Sequence, residues 1–172
     1  MTKNEIRQVM LEQRSSASKC LLNKQNRKII RQIKADERFQ EANTIAIYYP
    51  MGNEVNLLPL LKEKKRIAFP KVEKDGIHFY RYHKGLEFMK SKFGVMEPVS
   101  KERIDDLIDF MFVPALAISK DFYRIGFGKG YYDQFLALNK PEVAMGVIYD
   151  FQEMDQIPVE DHDQKLDGYY KG

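Results

Sequence analysis

The stretch Arg124 to Leu136, R-I-G-F-G-K-G-Y-Y-D-Q-F-L, alternates Gly126, Gly128 and Gly130 with Ile125, Phe127 and Lys129. In an extended backbone successive residues face opposite sides, so the three glycines leave one side of the segment bare. A ligand can reach peptide N–H groups there. Arg124 and Lys129 add positive charge, and Tyr131 and Tyr132 add flat faces. Asp133 adds a carboxylate where helical spacing resumes, Tyr132 to Leu138, with Phe135 and Leu136 inward. These are the parts of a site for a phosphate and a ring. Neither common nucleotide loop fits: the G-x-x-x-x-G-K-S/T spacing is absent, and G-x-G-x-G is not the dinucleotide fingerprint. A plain three-glycine turn is the alternative. Glycine costs about 0.5–1 kcal/mol relative to alanine in a regular element, however, and three such positions beside two cations and two tyrosines favour anion binding. Asp133 has a simpler role open to it, a favourable interaction with the helix dipole. The rings of Phe127, Tyr131 and Tyr132 suit a core equally.

Strand and helix patterns alternate on either side of this stretch. Phe110 to Val113 is a short apolar strand ending at Pro114, and Val143 to Tyr149 is a buried strand. T-I-A-I-Y-Y from Thr44 is nearly continuous in apolarity, as a buried strand is, and stops at Pro50. M-G-N-E-V-N follows, placing Glu54 in a loop at a strand's carboxyl end, where open α/β sheets hold their ligands. A surface Glu in a turn is the commoner case. Leu57 to Lys64 reads as a short helix before R-I-A-F-P-K-V, a strand that Pro70 ends or confines to an edge, with Lys71 beside it. Ile77 to Tyr82 alternates like a strand with one wet face, paired with Ile67 to Val72 across Asp75-Gly76. Residues 84–103 are irregular and suggest no function. Short connections between these elements argue an α/β layered sheet with parallel character at its centre, in one domain.

At the N-terminus Thr2 and Glu5 have capping-box spacing, which predicts a helix from Lys3 to Gln13 with Ile6, Val9 and Met10 inward. Lys3 and Arg7 then share a face, either as solvated charges or around an anion. A second helix, Ser18 to Asp36, carries Leu22, Ile29, Ile30 and Ile33 on one stripe and a basic solvated face. At the other end I-P-V-E-D-H-D-Q-K-L-D-G-Y-Y places acids around His162 and closes on an edge strand. His162 reads as a solvated side chain and Asp163 as a turn residue. Their functional alternative pairs Asp163 with Asp133, because Mg²⁺ takes one or two carboxylates together with phosphate oxygens and water.

With 172 residues, 44% of them hydrophobic, the chain has material for a real core. A net charge of +3 suits a small anionic ligand and is too mild to demand nucleic acid. The lone Cys20, the polar N-terminus and the lack of a long apolar run point to the cytoplasm, with no membrane span. One cysteine and three scattered histidines offer no zinc-ligand spacing.

The decapeptide Arg124 to Asp133 does not stand alone. In order along nearly the whole chain come K-x-x-x-R (Lys3, Arg7), Y-Y-P-M-G-N-E-V, F-P-K-V, G-V-M-E-P (Gly94 to Pro98) and H-D-x-x-L-D. With these motifs the sequence resembles the 5-formyltetrahydrofolate cyclo-ligase family, also called 5,10-methenyltetrahydrofolate synthetases. The resemblance implies a three-layer α/β/α, Rossmann-like open sheet with substantial parallel character, as a single domain over residues 1–172. It implies an enzyme that uses ATP and Mg²⁺ to turn 5-formyltetrahydrofolate into 5,10-methenyltetrahydrofolate through a phosphorylated formyl oxygen. It implies ATP contacts from Lys3, Asn4, Glu5, Ile6 and Arg7, and from Arg124, Ile125, Gly126, Phe127, Gly128, Lys129, Gly130, Tyr131 and Tyr132. Folate contacts map to Tyr49 and Glu54 and to Phe127, Gly128, Lys129, Gly130 and Tyr131; the metal carboxylates map to Asp133 and Asp163. Arg124 is the residue expected to stabilise transferring charge, with no covalent nucleophile. Expected partners are ATP and the folate, with or without a polyglutamate tail, acting on a monomer without nucleic acid or membrane. Two other classes stay open on the residues: an RNA-binding or structural relative on the same fold, and another small-molecule phosphotransferase or CoA-handling enzyme.

Overall fold

The apolar runs lie side by side in one sheet of the computed structural model, which describes residues 1–172. In chain order the strands are β1 (Thr44–Ala46), β2 (Arg66–Glu73), β3 (Gly76–Arg81), β4 (Phe88–Lys90), β5 (Met96–Pro98), β6 (Phe110–Pro114), β7 (Ala117–Ser119), β8 (Arg124–Ile125), β9 (Val143–Ile148), β10 (Glu153–Met154) and β11 (Gly168–Lys171). The helices are α1 (Lys3–Ser16), α2 (Lys19–Ala35), α3 (Glu37–Glu41) and α4 (Tyr131–Leu138). The central sheet has the order β11-β9-β6-β1-β2-β3, with every pairing parallel except β2–β3.

Its strands read as unbroken apolar runs because both faces are covered. Ile45, Ile47, Phe110, Phe112, Met145 and Val147 pack with Leu22, Ile29 and Ile33 of α2 and Phe39 of α3. The alternate residues, Ala46, Met111, Val113, Ala144 and Ile148, pack on the other side with Phe135 and Leu136 of α4 and Ile118 of β7. The result is the three-layer α/β/α arrangement that the resemblance implies. A small sheet β10-β7-β8 lies on the second face, and α1 docks on it through Ile6 and Met10 against Leu116, Ala117 and Ile125. No helix is long and apolar enough to cross a membrane.

Several local expectations are corrected. The capping box at Thr2 and Glu5 forms, but α1 continues to Ser16, and Val9 is only half-buried. Leu57 to Lys64 is shorter and tighter, a 3₁₀ turn over Leu58–Lys62 with Pro59 near its start. Pro70 does not end β2, which runs on to Glu73. β1 has stopped at Ala46, the partner of Ala68, so no neighbour on that side needs the N–H that Pro70 lacks. The β2–β3 hairpin forms as read, yet Ile77, His78, Phe79 and Tyr80 are all buried, leaving no wet face there. Phe79 meets the rings of Tyr132 and Phe135 from α4, while His78 lies between Asp75 and Asp105. Within the irregular 84–103 region β4 and β5 form a hairpin.

Candidate active site

A cleft of about 740 Å³ opens beyond the carboxyl ends of β1 and β6, in the size range of small-molecule sites. Tyr48 and Tyr49 reach it from the end of β1, Pro114 from β6, and Pro70, Val72 and Ile77 from the β2–β3 hairpin. The whole segment from Arg124 to Gln134 forms one wall, and Lys3 and Arg7 approach from α1. The β4–β5 hairpin contributes Ser91, Phe93 and Val95 from its loop and Glu97 from β5. Residues far apart in sequence thus converge at the place where open α/β sheets bind their ligands.

The glycine stretch is not an extended strand throughout. Only Arg124 and Ile125 pair, with β7; Gly128 at φ 92° and Gly130 at φ 70° then take left-handed conformations that turn the chain into α4. Its openness comes from a glycine turn and not from one face of a strand. Close approach matters too: a Cβ on Gly126 would stand 2.6 Å from Nη1 of Arg124, and one on Gly128 would stand 3.3 Å from Cζ of Arg7. The turn is tied down by Arg7, whose Nε donates to the Gly126 carbonyl at 2.8 Å. No side chain caps α4 at Gly130, so its first-turn N–H groups are free for a ligand.

Arg124 carries the strongest electrostatic signal. It is 8% exposed, its Nη2 lies 3.3 Å from Oδ2 of Asp133, and its guanidinium stands 5.8 Å from the Tyr132 ring centre. Its Nε is buried without a hydrogen-bond partner. Burial pulls its pKa down, opposed by Asp133, yet a guanidinium stays charged in proteins. Arg124 lines the cleft as a mostly buried cation, a chemistry suited to an anion.

Lys3 does not stand free beside Arg7. Its Nζ binds Glu160 and Asp163, each at 2.6 Å. Burial lowers the Lys3 pKa, but these bonds outweigh it and the net direction is up. Burial likewise raises Asp163, and the Lys3 ammonium with the Glu160 N–H brings it below the ordinary carboxylate value. Asp133 accepts the Gln164 N–H at 3.0 Å besides facing Arg124. Glu160, His162 and Asp163 have ligand atoms within 4.8 Å of one another. The two carboxylates expected to hold metal therefore both line the cleft, each balanced by a cation.

Glu54 also lines the cleft and accepts the Met51 N–H at 2.8 Å. Burial pushes its pKa up, opposed by that N–H and by the Arg14 charge. Tyr49, Phe127 and Tyr131 are present as expected, and Lys129 stands over the Phe93 ring at 5.5 Å. Other expected positions lie elsewhere. Ile6 packs in the α1 core, Glu5 serves the capping box, and Asn4 accepts from Arg7. Lys71 points toward Glu73 and Tyr80 while its neighbours Pro70 and Val72 face the cleft. Sequence reasoning missed Phe93 and Glu97, whose hairpin gave only turn signals. It also missed Arg14, 7% exposed and 5.7 Å from the Phe127 ring centre, although its spacing from Lys3 and Arg7 puts it on their helix face.

A three-layer sheet with a charged cleft at its strand ends is the arrangement in which α/β proteins bind small ligands. The profile of the 5-formyltetrahydrofolate cyclo-ligase family matches residues 1–170, and the chain belongs to that family. It is similar to the 5-formyltetrahydrofolate cyclo-ligase of Mycoplasma pneumoniae, 30% identical over 162 residues and 90% of each chain. The NMR structure of Aquifex aeolicus 5,10-methenyltetrahydrofolate synthetase superposes with a TM-score of 0.89 at 35% identity, over 99% of this chain and 90% of that one. The 5,10-methenyltetrahydrofolate synthetase structure from Mycoplasma pneumoniae gives 0.77 at 28% identity, over 99% and 98%. Membership makes the chain an enzyme of the cyclo-ligase class, with a folate substrate and ATP as co-substrate.

Proposed function

We propose that residues 1–172 act as one catalytic unit that converts 5-formyltetrahydrofolate to 5,10-methenyltetrahydrofolate, with Mg²⁺ and ATP, releasing ADP and phosphate. A formamide oxygen is a poor leaving group. Transfer of the γ-phosphoryl to it forms a P–O bond as the bond to ADP breaks, giving an iminophosphate. N10 of the same folate then attacks the formyl carbon and loses its proton to solvent, and the C–O bond breaks as phosphate leaves. No covalent nucleophile is needed, only alignment and charge stabilisation.

The observation that carries this reading is the mostly buried Arg124 cation lining the cleft, whose Nε inside the wall has no hydrogen-bond partner. It supports a role in holding phosphate oxygens as charge redistributes, with Lys3, Arg7 and the N–H groups of Gly126 to Tyr132 beside it. Tyr49, Glu54 and Phe127 to Tyr131 serve the folate, Glu54 by accepting pterin N–H groups and the rings by stacking. Asp133 and Asp163 suit Mg²⁺ by donor chemistry, being hard oxygens in the cleft. The ion, when bound, neutralises phosphate charge. Purified protein given ATP, Mg²⁺ and 5-formyltetrahydrofolate develops the near-UV absorbance of the methenyl product; no gain at any reasonable pH, with tight RNA binding instead, overturns the proposal.

A further inference from the structure

Lys3 is assigned to phosphate and Asp163 to metal, yet the two bond each other. Nζ of Lys3 lies 2.6 Å from Oδ2 of Asp163 and 2.6 Å from Oε2 of Glu160, and the side chains of Lys3 and Asp163 are 15% and 10% exposed. Carboxylate oxygens converging on one positive charge are what a hard metal ion takes. The ammonium stands in for such a charge at this end of the cleft. Lys3 also differs from the other cations of that wall. Arg7 is fixed to the backbone, its Nε donating to the Gly126 carbonyl at 2.8 Å, and Arg124 is 8% exposed beside the Tyr132 ring. Lys3 is held only at its tip, by two acidic side chains 157 and 160 positions away, of which Glu160 is 59% exposed. Its helix is anchored through Ile6 and Met10 whichever partner the ammonium takes, and a flexible stem lets that point charge swing. Asp163 keeps a donor of its own, the Glu160 backbone N–H at 2.7 Å, so the carboxylate stays in place when Lys3 leaves.

We propose that Lys3 is an exchangeable counter-ion that couples nucleotide to metal: in the protein alone it neutralises Asp163, and an incoming polyphosphate draws it off and opens the carboxylate to a divalent cation. This rests on the assignment of Lys3 to phosphate and of Asp163 to metal. Free metal meets a carboxylate already neutralised, and free nucleotide meets a cation already paired. Each therefore binds poorly alone and tightens the other by the same factor. Plain repulsion between Lys3 and the metal differs from this exchange, because it acts whether or not nucleotide is bound.

The test uses Mn²⁺ as the probe, its binding followed by the EPR signal of the free ion, with and without a saturating β,γ-imido analogue of ATP. Wild type, Lys3→Met, Lys3→Arg and Asp163→Asn are compared. Without nucleotide, Lys3→Met binds Mn²⁺ about fivefold tighter than wild type. Lys3→Arg, which keeps a cation on Asp163, stays within about twofold of wild type. With the analogue bound the advantage of Lys3→Met is gone, because in wild type Lys3 has already left Asp163. An advantage that persists with nucleotide means plain repulsion and overturns the exchange, as does no advantage without it. Asp163→Asn weakens Mn²⁺ binding in the presence of the analogue; an unchanged affinity there removes Asp163 from the metal and takes the exchange with it. Weakening in Asp163→Asn with no effect of Lys3→Met defeats the exchange alone and leaves the metal assignment standing. None of these measurements needs turnover, so their outcome is separate from that of the cyclo-ligase assay.

Discussion

Arg124 and Asp133 sit nine positions apart at the two ends of the glycine turn, and their contact joins the cation proposed for phosphate to a carboxylate proposed for the metal. Removing the Arg124 guanidinium should lower kcat by about 10²–10³-fold, as loss of one preorganised donor does, while circular dichroism stays native; full activity in Arg124→Ala refutes the role. Asp133→Asn should raise the Mg²⁺ concentration needed for half-maximal rate, and an identical metal titration removes Asp133 from the metal shell. Away from the cleft, His78 offers a stability prediction. Burial lowers its pKa, but hydrogen bonds to Asp105 at 2.7 Å and Asp75 at 2.9 Å outweigh this, so the folded pKa lies above the unfolded value of 6.5. That stabilisation is complete below the unfolded pKa and is lost as pH rises through the folded one. Denaturant midpoints should therefore fall between about pH 6 and 9 in wild type more steeply than in His78→Gln; equal slopes contradict the linkage. Arg124 and Asp133 were legible in sequence because they flank an unusual glycine pattern. The paired state of Lys3 was not, since its partners are 157 and 160 positions away.

Elements place these side chains through a few tight contacts. Gly146 in β9 is one: a Cβ there would come within 2.1 Å of Cδ1 of Ile118 in β7, a fully buried side chain. Gly146 thus lets the small sheet that positions Arg124 settle onto the central one. Gly146→Ala should cost about 1–3 kcal/mol by overpacking, and Ile118→Val beside it should recover part of that; additive losses in the double variant, measured by urea unfolding, contradict the contact. The capping box of α1 and the β2–β3 turn were readable because their determinants lie within a few residues. The depth of β2 past Pro70 and the dry face of β3 were not, because they depend on where β1 stops and where α4 packs.

Across the whole molecule the cleft draws its walls from α1, the strand ends, the β4–β5 hairpin and the 160–164 segment. Ligand binding should therefore stabilise distant segments together. At ATP near 100 times its Kd, about 2.7 kcal/mol of added stability is expected. Hydrogen exchange should slow around Gly126 to Gly130, and around Phe93 once folate is added, with α2 unchanged; protection confined to one segment would mean that the walls do not act as one site. The sequence by itself determined the layered α/β class, since continuous apolar runs between helical stripes are buried only in a sheet covered on both faces. It also determined the glycine turn with its charges, because local backbone freedom and residue chemistry are written in neighbouring positions. Only the tertiary structure decided how that turn is used. Its left-handed glycines replace the expected strand face, Arg7 anchors it from α1, and Arg14 stands 5.7 Å from the Phe127 ring centre. Those relations depend on packing between segments more than a hundred positions apart or joined only through the core, and no local pattern encodes such a distance.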